Sequence, residues 1–237
     1  MSNRPLNIVL VVLLIILSGC AIWNAFEYDA DVRAAIVESQ GGKKWKKSDD
    51  YKFVAAVRKY GDWPQIMLAG GLGLFIAWRL RNREWQRIIA AAMIASTLAG
   101  IIANASRLTT GRTRPRESPK IEQGFYGPWT NGKLTIGNPA YNSFPSGHTA
   151  TAFGFAGVIL FASPWIGIGA VIIAGVIGWS SIAIGAHHLS DVTVSIVLSF
   201  VVAWFVWKWT QRSGDETWRK LKILARRKLA EYRKKKS

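Results

Sequence analysis

Residues 149–186 read TATAFGFAGVILFASPWIGIGAVIIAGVIGWSSIAIGA, a run of 38 residues that contains no Asp, Glu, Lys or Arg. A core helix of a water-soluble protein does not need an uncharged run of this length, whereas the hydrocarbon layer of a membrane does. The Ser163-Pro164 pair divides the run, because proline interrupts a helix ladder. The segment therefore predicts two successive membrane helices, over about residues 146–162 and 165–186.

The same apolar pattern recurs along the rest of the chain. Four further stretches are uncharged or nearly so, at residues 5–26, 64–78, 88–105 and 192–209. The shortest of them needs its flanking Trp63 and Arg79 to reach both membrane interfaces. The sequence therefore predicts an all-α fold, with a six-helix transmembrane bundle in residues 1–210.

The single cysteine, Cys20, ends the sequence Leu17-Ser18-Gly19-Cys20, which resembles a lipoprotein processing site. The apolar stretch continues past this residue to Phe26, as it would in a membrane helix that is retained. We therefore expect the first span to be a membrane helix, with lipoprotein processing as the alternative.

Basic residues predict the orientation of the bundle. The formal net charge is +17, twelve basic residues lie from Lys208 onward, and the loop at residues 79–87 reads RLRNREWQR. By the positive-inside rule, the loop and the tail face the cytoplasm. We therefore expect a multi-pass protein of the cytoplasmic (inner) membrane with both termini in the cytoplasm. The loop at residues 27–62 then lies on the outer side.

The basic tail, residues 211–237, carries apolar side chains at helical spacing between Trp218 and Leu229. This pattern is typical of an amphipathic helix on an anionic membrane surface. Nucleic-acid binding is the alternative for a basic helix. Because the tail adjoins a membrane span and has no recognition motif, we expect anionic lipid headgroups as its partner and no nucleic acid.

Three polar clusters remain once the spans and the tail are set aside. They lie at residues 107–116 (RLTTGRTRPR), 145–148 (PSGH) and 180–191 (SSIAIGAHHLSD). Counting the predicted crossings places all three on the outer side, within two catalytic loops at residues 106–148 and 180–191. Clusters far apart in the sequence are thus predicted to share one face of the bundle.

Each cluster suits a phosphate group. The first holds four arginines, whose planar forks match phosphate oxygens: Arg107, Arg112, Arg114 and Arg116. In the second, Ser146 is the predicted N-cap of a helix, whose first N–H groups favour an anion close to His148. A membrane-interface role for the arginines and a structural role for the histidine remain as alternatives.

His187 and Asp191 are four residues apart in the third cluster. On a helix they would share a face, so that the carboxylate accepts from one ring nitrogen and leaves the other as a nucleophile. The alternatives are a capped helix start, or a metal site formed by His148, His187, His188 and Asp191. The sequence has no acidic cluster for magnesium, which argues against two-metal hydrolysis.

Together the clusters resemble the type 2 phosphatidic acid phosphatase superfamily, which includes the vanadium haloperoxidases. The pattern of that superfamily is K-x6-R-P, then P-S-G-H, then S-R-x5-H-x3-D. The present chain has R-x6-R-P at residues 107–115, P-S-G-H at 145–148 and S-S-x5-H-x3-D at 180–191. The resemblance covers about residues 85–200. It implies a helical bundle and hydrolysis without a metal or another cofactor.

The resemblance also implies a role for each site residue. His187 would attack phosphorus to form a phosphohistidine, with Asp191 orienting the ring. His148 would protonate the leaving group and then activate water. The phosphoryl oxygens would be bound by Arg107, Arg114, Ser146 and Gly147.

Two positions depart from the superfamily pattern. Arg107 replaces a lysine and keeps the positive charge. Ser181 stands where the pattern has an arginine, which removes one phosphate ligand. Arg112, Arg116 and Ser181 itself are therefore the additional candidates for phosphate binding.

These observations predict a membrane phosphatase that hydrolyses the phosphate or diphosphate ester of a lipid. The candidate substrates are undecaprenyl diphosphate, phosphatidate, phosphatidylglycerol phosphate and lipid A phosphate. One alternative is a phosphotransferase of the same mechanism, in which a lipid acceptor replaces water. The other is a catalytically impaired lipid-binding protein, suggested by Ser181. A haloperoxidase is disfavoured, because those relatives are soluble.

Overall fold

The computed structural model describes residues 4–40, 42–118 and 120–234, with side chains for residues 9–40, 45–118 and 120–212. Over these residues the chain forms eight α-helices and one short hairpin. The helices are α1 (Arg4–Glu27), α2 (Asp29–Ser39), α3 (Asp49–Lys59), α4 (Trp63–Arg79), α5 (Arg83–Thr110), α6 (Gly147–Ala162), α7 (Pro164–Ala183) and α8 (Leu189–Lys234). The strands are β1 (Trp129–Thr130) and β2 (Lys133–Leu134), which pair antiparallel.

Four helices in the described residues are long and apolar enough to cross a membrane. Their spanning parts are Val9–Glu27, Arg83–Thr110, Pro164–Ala183 and Leu189–Arg212. Helix α6 is apolar but has only 16 residues, and α4 has 17. The chain is thus a mostly helical, integral membrane protein, whereas the count of six spans stays a prediction.

Helix α6 lies at the centre of the bundle, between α5 and α8, and most of its side chains are buried. Small residues allow α5 and α6 to approach closely: a Cβ added at Gly154 would lie 2.9 Å from the carbonyl oxygen of Ala95. The hydroxyl of Ser96 donates to the carbonyl oxygen of Thr151 at 2.9 Å. In a membrane there is no hydrophobic driving force for helix association, and close backbone contact of this kind holds helices together instead.

The segment between α1 and α4 packs onto the bundle. Helix α3 lies against α7, and α2 contacts α8. The side-chain amide of Gln40 donates to the carbonyl oxygen of Ala183 at 3.0 Å. The predicted loop at residues 27–62 thus contains two helices, α2 and α3, and they cover one end of the helices that carry the polar clusters.

Two helix ends and one loop differ from the sequence prediction. Helix α5 continues to Thr110, where Gly111 ends it in the left-handed conformation at φ 53°. Helix α7 ends at Ala183, before the predicted end at residue 186, and Ser180 and Ser181 of the predicted catalytic loop lie in its last turn. The hairpin lies in the loop between α5 and α6, so the fold is not strictly all-α.

Helix α8 runs from Leu189 to Lys234 without a break, across the predicted boundary at residue 210. The basic tail is therefore helical in its described part, as an extension of the last apolar helix. The predicted apolar face between Trp218 and Leu229 concerns side chains outside the described set. Headgroup binding by the tail stays a prediction.

Candidate active site

The three polar clusters meet at the covered end of the bundle. The Nε of Arg107, near the end of α5, donates to the carbonyl oxygen of Pro145 at 2.9 Å. Arg112 forms an ion pair with Asp191 in the first turn of α8, with 2.5 Å between Nη1 and Oδ1. The backbone N–H of Ser146 donates to the carbonyl oxygen of Asp191 at 3.3 Å. The predicted convergence is therefore present in the structure.

His187 is fully buried, and its two ring nitrogens differ in their surroundings. Nδ1 lies 2.7 Å from the carbonyl oxygen of Ser143. Nε2 has no hydrogen-bond partner among the described residues. Because a carbonyl oxygen only accepts, Nδ1 carries the proton and Nε2 carries the lone pair. The ring thus presents an unshared electron pair, as a nitrogen nucleophile requires.

Asp191 is not the nearest acceptor to His187. Its Oδ2 lies 3.7 Å from Nδ1, a full ångström farther than the carbonyl oxygen of Ser143. The predicted contact assumed that the two residues share a helix, but His187 precedes the first residue of α8. The role of the Ser143 carbonyl had no signal in the sequence, because a backbone group supplies it.

The carboxylate of Asp191 instead fixes the surrounding loops. It accepts from the hydroxyl of Ser143 at 2.5 Å, from the backbone N–H of His188 at 2.7 Å and from Arg112. Ser143 thus contacts Asp191 through its side chain and His187 through its carbonyl oxygen. Asp191 therefore orients the histidine indirectly, by holding the residue that accepts its Nδ1 proton.

The electrostatic surroundings keep His187 neutral. Burial lowers its pKa to about 4, Asp191 acts in the opposite direction, and Arg107 and Arg114 lower the pKa further. A desolvated imidazole beside two guanidinium groups gains little from a proton. The lone pair on Nε2 is therefore available at neutral pH.

Arg107 and Arg114 each have a buried nitrogen without a partner among the described residues, namely Nη2 and Nε. Burial lowers the pKa of Arg114 to about 10, and Arg116, Arg58 and Arg107 act in the same direction. Buried guanidinium groups that repel one another need an anion to satisfy them. The arrangement therefore fits a bound phosphate.

The helix start at Gly147 adjoins this cluster. A Cβ at position 147 would lie 2.8 Å from Nη2 of Arg107, so a larger residue would displace the guanidinium from its present position. Ser146 occupies the N-cap position of α6, as expected, but its hydroxyl contacts the hydroxyl of Thr149 at 2.8 Å. Its side chain therefore does not cap a backbone N–H, and the first turn of the helix keeps its capacity for an anion.

His148 is held by two residues from the segment that precedes the three motifs. Its Nε2 lies 2.6 Å from Oδ1 of Asp62, and its Nδ1 lies 3.2 Å from Nη2 of Arg58. Sequence reasoning missed both residues, because they lie among charges that nearly cancel and form no motif. Since a carboxylate accepts from Nε2, Nδ1 carries the lone pair and faces the guanidinium.

Arg112 has different partners from Arg107 and Arg114. Its Nη1 and Nη2 bind Asp191 and Asp29, the latter at 2.7 Å, and its Cζ lies 4.7 Å from the ring centroid of Phe125. The predicted role of Arg112 as a substitute phosphate ligand therefore conflicts with its contacts, because two carboxylates already neutralise it.

The other two additional candidates also have partners. The Nε of Arg116 donates to Glu117 at 3.3 Å, and about a third of its side chain is exposed. Ser181 is fully buried, and its hydroxyl donates to the carbonyl oxygen of Ile177 at 3.2 Å. The hydroxyl of Ser181 thus has its hydrogen-bond acceptor within α7, and Arg116 is paired with Glu117 and partly exposed.

The alternative of a metal site receives no support from the geometry. His188 turns its Nε2 to the carbonyl oxygen of Thr113 at 3.1 Å, and His148 is bound to Asp62. In the described part of the chain, no group of three or more His, Cys, Asp or Glu side chains is arranged to hold a metal ion.

Comparison with known proteins identifies relatives that match about half of this chain. The chain is 28% identical over 126 residues to a lipid A 1-phosphatase of Porphyromonas gingivalis, covering 52% of this chain and 24% of the relative. It is 26% identical over 132 residues to a lipid A 1-phosphatase of Rhizobium johnstonii, covering 56% of this chain and 47% of the relative. The chain thus spans between a quarter and a half of the length of these relatives.

The fold is similar to that of a transmembrane PAP2-type phosphatidylglycerolphosphate phosphatase from Bacillus subtilis. The TM-score is 0.52 at 16% identity, covering 89% of this chain and 98% of that one. The sequence profile of the PAP2 superfamily matches residues 87–215, which include all three motifs. The chain therefore belongs to the PAP2 superfamily.

Proposed function

We propose that this protein is a lipid phosphate phosphatase that hydrolyses its substrate through a phosphohistidine on His187. The observation that carries the proposal is Nε2 of His187, a buried neutral nitrogen whose lone pair has no partner among the described residues. Nη2 of Arg107 and Nε of Arg114, which likewise have no partner in the described part of the chain, provide the positive charge that a phosphoryl group would need there.

In the first step, the Nε2 lone pair of His187 forms a bond to phosphorus while the bond to the lipid oxygen breaks. For this step His148 must carry a second proton on Nδ1, a form that the bound anion and Asp62 at Nε2 would stabilise; Nδ1 gives that proton to the lipid oxygen, and Arg107 and Arg114 stabilise the charge on the phosphoryl oxygens. Ser146 and Gly147 contribute the start of α6 as an additional anion site. In the second step, water attacks phosphorus, His148 takes its proton, and the nitrogen–phosphorus bond breaks.

The proposed substrate is lipid A 1-phosphate. The support is that the two relatives described above, each of which matches about half of this chain, are lipid A 1-phosphatases. Phosphatidate, phosphatidylglycerol phosphate and undecaprenyl diphosphate have the same reacting group and are the next substrates to test. We place the site at the outer face of the inner membrane, with both termini in the cytoplasm, on the strength of the basic loop and tail.

Metal-independent hydrolysis is part of the proposal. The arginine cluster would supply the positive charge that a divalent ion supplies in metal-dependent phosphatases. The reaction is therefore expected to proceed in EDTA.

Phosphate release from a panel of these four lipids, by purified full-length protein in EDTA, tests the proposal. We expect release from lipid A 1-phosphate by the wild type and a loss of about 10³-fold or more in His187→Ala. A phosphorylated acceptor lipid without free phosphate would favour phosphotransfer. Lipid binding without either product would favour the catalytically impaired alternative.

A further inference from the structure

The turn between α3 and α4 is packed tightly against the site. A Cβ added at Gly61 would lie 2.6 Å from Cγ2 of Ile177 and 2.9 Å from Cβ of His148. The carbonyl oxygen of Gly61 also accepts from the hydroxyl of Thr151. Position 61 therefore has no space for a side chain, and the turn is held beside the proposed general acid, with Arg58 in the last turn of α3 before it and Asp62 at the start of α4 after it.

Arg58 lies in the last turn of α3, close to His148 and to the arginines of the site. Its Nη2 lies 3.2 Å from Nδ1 of His148, and its Nε is buried without a partner among the described residues. Burial lowers the pKa of Arg58, and Arg116 acts in the same direction while Asp62 opposes it. Arg58 also helps to lower the pKa of Arg114. It therefore shares the electrostatic environment of the proposed phosphate ligands.

The side of α7 that packs against α3 carries Ser181, the position at which the superfamily pattern has an arginine. Ile177 and Ser181 are four residues apart on α7, so they lie one turn apart on the same side of the helix. Gly61 contacts Ile177, which places α3 over this side. Ser181 is small, uncharged and fully buried, so α7 contributes no positive charge at this position.

We propose that Arg58 binds an oxygen of the phosphoryl group and takes the place of the arginine that is absent at position 181. The proposal rests on the function proposed above. It assigns a phosphate ligand to α3, which lies outside the region matched by the superfamily profile. A substrate phosphate would draw Nη2 of Arg58 away from Nδ1 of His148. Nδ1 of His148 would then be free to take up a proton and to give it to the leaving oxygen, while Nε2 keeps its contact with Asp62.

Kinetics and phosphate binding of detergent-purified full-length variants test this assignment. Arg58→Gln should lower kcat/KM for lipid A 1-phosphate on the order of 10- to 100-fold, the loss expected for one charge-assisted contact. It should also raise the dissociation constant for inorganic phosphate by about tenfold or more, by the same contact. Arg58→Lys, which keeps the charge but not the fork, should give intermediate values. Lys59→Ala removes an exposed neighbouring charge and is the matched control, with wild-type values expected.

A double variant tests directly whether an arginine at position 181 can replace Arg58. Ser181→Arg in the Arg58→Gln background should recover part of the lost turnover, whereas Ser181→Arg alone should not raise turnover above wild type. Wild-type turnover and phosphate affinity in Arg58→Gln would overturn the assignment, as would a gain from Ser181→Arg alone. If Arg58→Gln does not fold, Arg58→Lys is decisive: wild-type affinity for phosphate in that variant contradicts a forked contact.

The two proposals fail in distinguishable ways. A wild type that releases no phosphate from any lipid removes the proposed function, yet its affinity for inorganic phosphate still reports on Arg58. A wild type that releases phosphate, with Arg58→Gln equal to it in both measurements, removes only the assignment of Arg58.

Discussion

Arg112 and Arg114 are two residues apart, yet their surroundings predict opposite effects of the same substitution. Arg112 is buried and forms ion pairs with Asp29 and Asp191 at 2.7 and 2.5 Å. Arg114 forms one side-chain hydrogen bond, to the carbonyl oxygen of Asn142 at 3.2 Å, and lies beside other arginines. Methionine has a similar length without the charge, so Arg112→Met and Arg114→Met form a matched pair.

Arg112→Met leaves the buried carboxylate of Asp191 and the partly buried one of Asp29 without their common cation. Breaking a buried ion pair by removing one partner costs about 3–5 kcal/mol. For a chain of this size, 1 kcal/mol corresponds to about 2–4 °C in Tm, so the expected loss is roughly 6–20 °C. Arg114→Met removes a repelled cation and one modest hydrogen bond. Its free energy of unfolding should stay within about 1 kcal/mol of wild type or rise.

Thermal unfolding in detergent, followed beside phosphate release and affinity for inorganic phosphate, separates the two arginines. We expect Arg112→Met to unfold at a lower temperature. Arg114→Met should keep its Tm but lose about tenfold or more in kcat/KM and phosphate affinity. The reasoning is refuted if Arg112→Met keeps the wild-type Tm and loses phosphate binding, or if Arg114→Met is the unstable variant.

Three further predictions address the histidines and the orientation. His187→Ala should cost about 10³-fold or more in turnover, whereas His188→Ala should cost far less; the reverse order in steady-state rates would show that the nucleophile is misassigned. Because burial lowers the pKa of His187 from 6.5 to about 4, the neutral form persists in mild acid; the acidic limb of kcat/KM for this group should therefore lie below about pH 5, and a limb near 6.5 would contradict the geometry. A cysteine at Thr130 should react with an impermeant thiol reagent in intact cells and one at Ser213 should not; the opposite labelling would invert the orientation.

The convergence of the site could be predicted because the apolar runs and the spacing within each motif can both be read directly from the sequence. Apolar runs reveal which segments form helices, and a count of the predicted crossings brings Arg107, His148 and His187 to one end of the bundle. Spacing within each cluster is local information, so the motifs could be recognised without knowledge of packing. These parts of the site follow from the order of residues alone.

The remaining features depend on contacts that sequence spacing does not encode. Arg58 lies ninety positions from His148, in a segment where opposite charges nearly cancel. The acceptor for Nδ1 of His187 is a backbone carbonyl, which every residue possesses. The four arginines of the first cluster look alike in sequence, and only packing against Asp29 and Asp191 distinguishes Arg112 from those with unpartnered nitrogens. Tertiary packing, and not residue type, decides each of these cases.

Transfer of label from substrate to protein tests the central claim most directly. Purified protein is mixed with lipid A carrying a 32P-labelled 1-phosphate in EDTA, quenched in alkali with detergent, and analysed for protein-bound label. We expect an alkali-stable, acid-labile label on the wild type, because a nitrogen–phosphorus bond has these properties, and none on His187→Ala. A label on His187→Ala equal to that of the wild type, or phosphate release by His187→Ala at the wild-type rate, would contradict the assignment of His187 as the nucleophile.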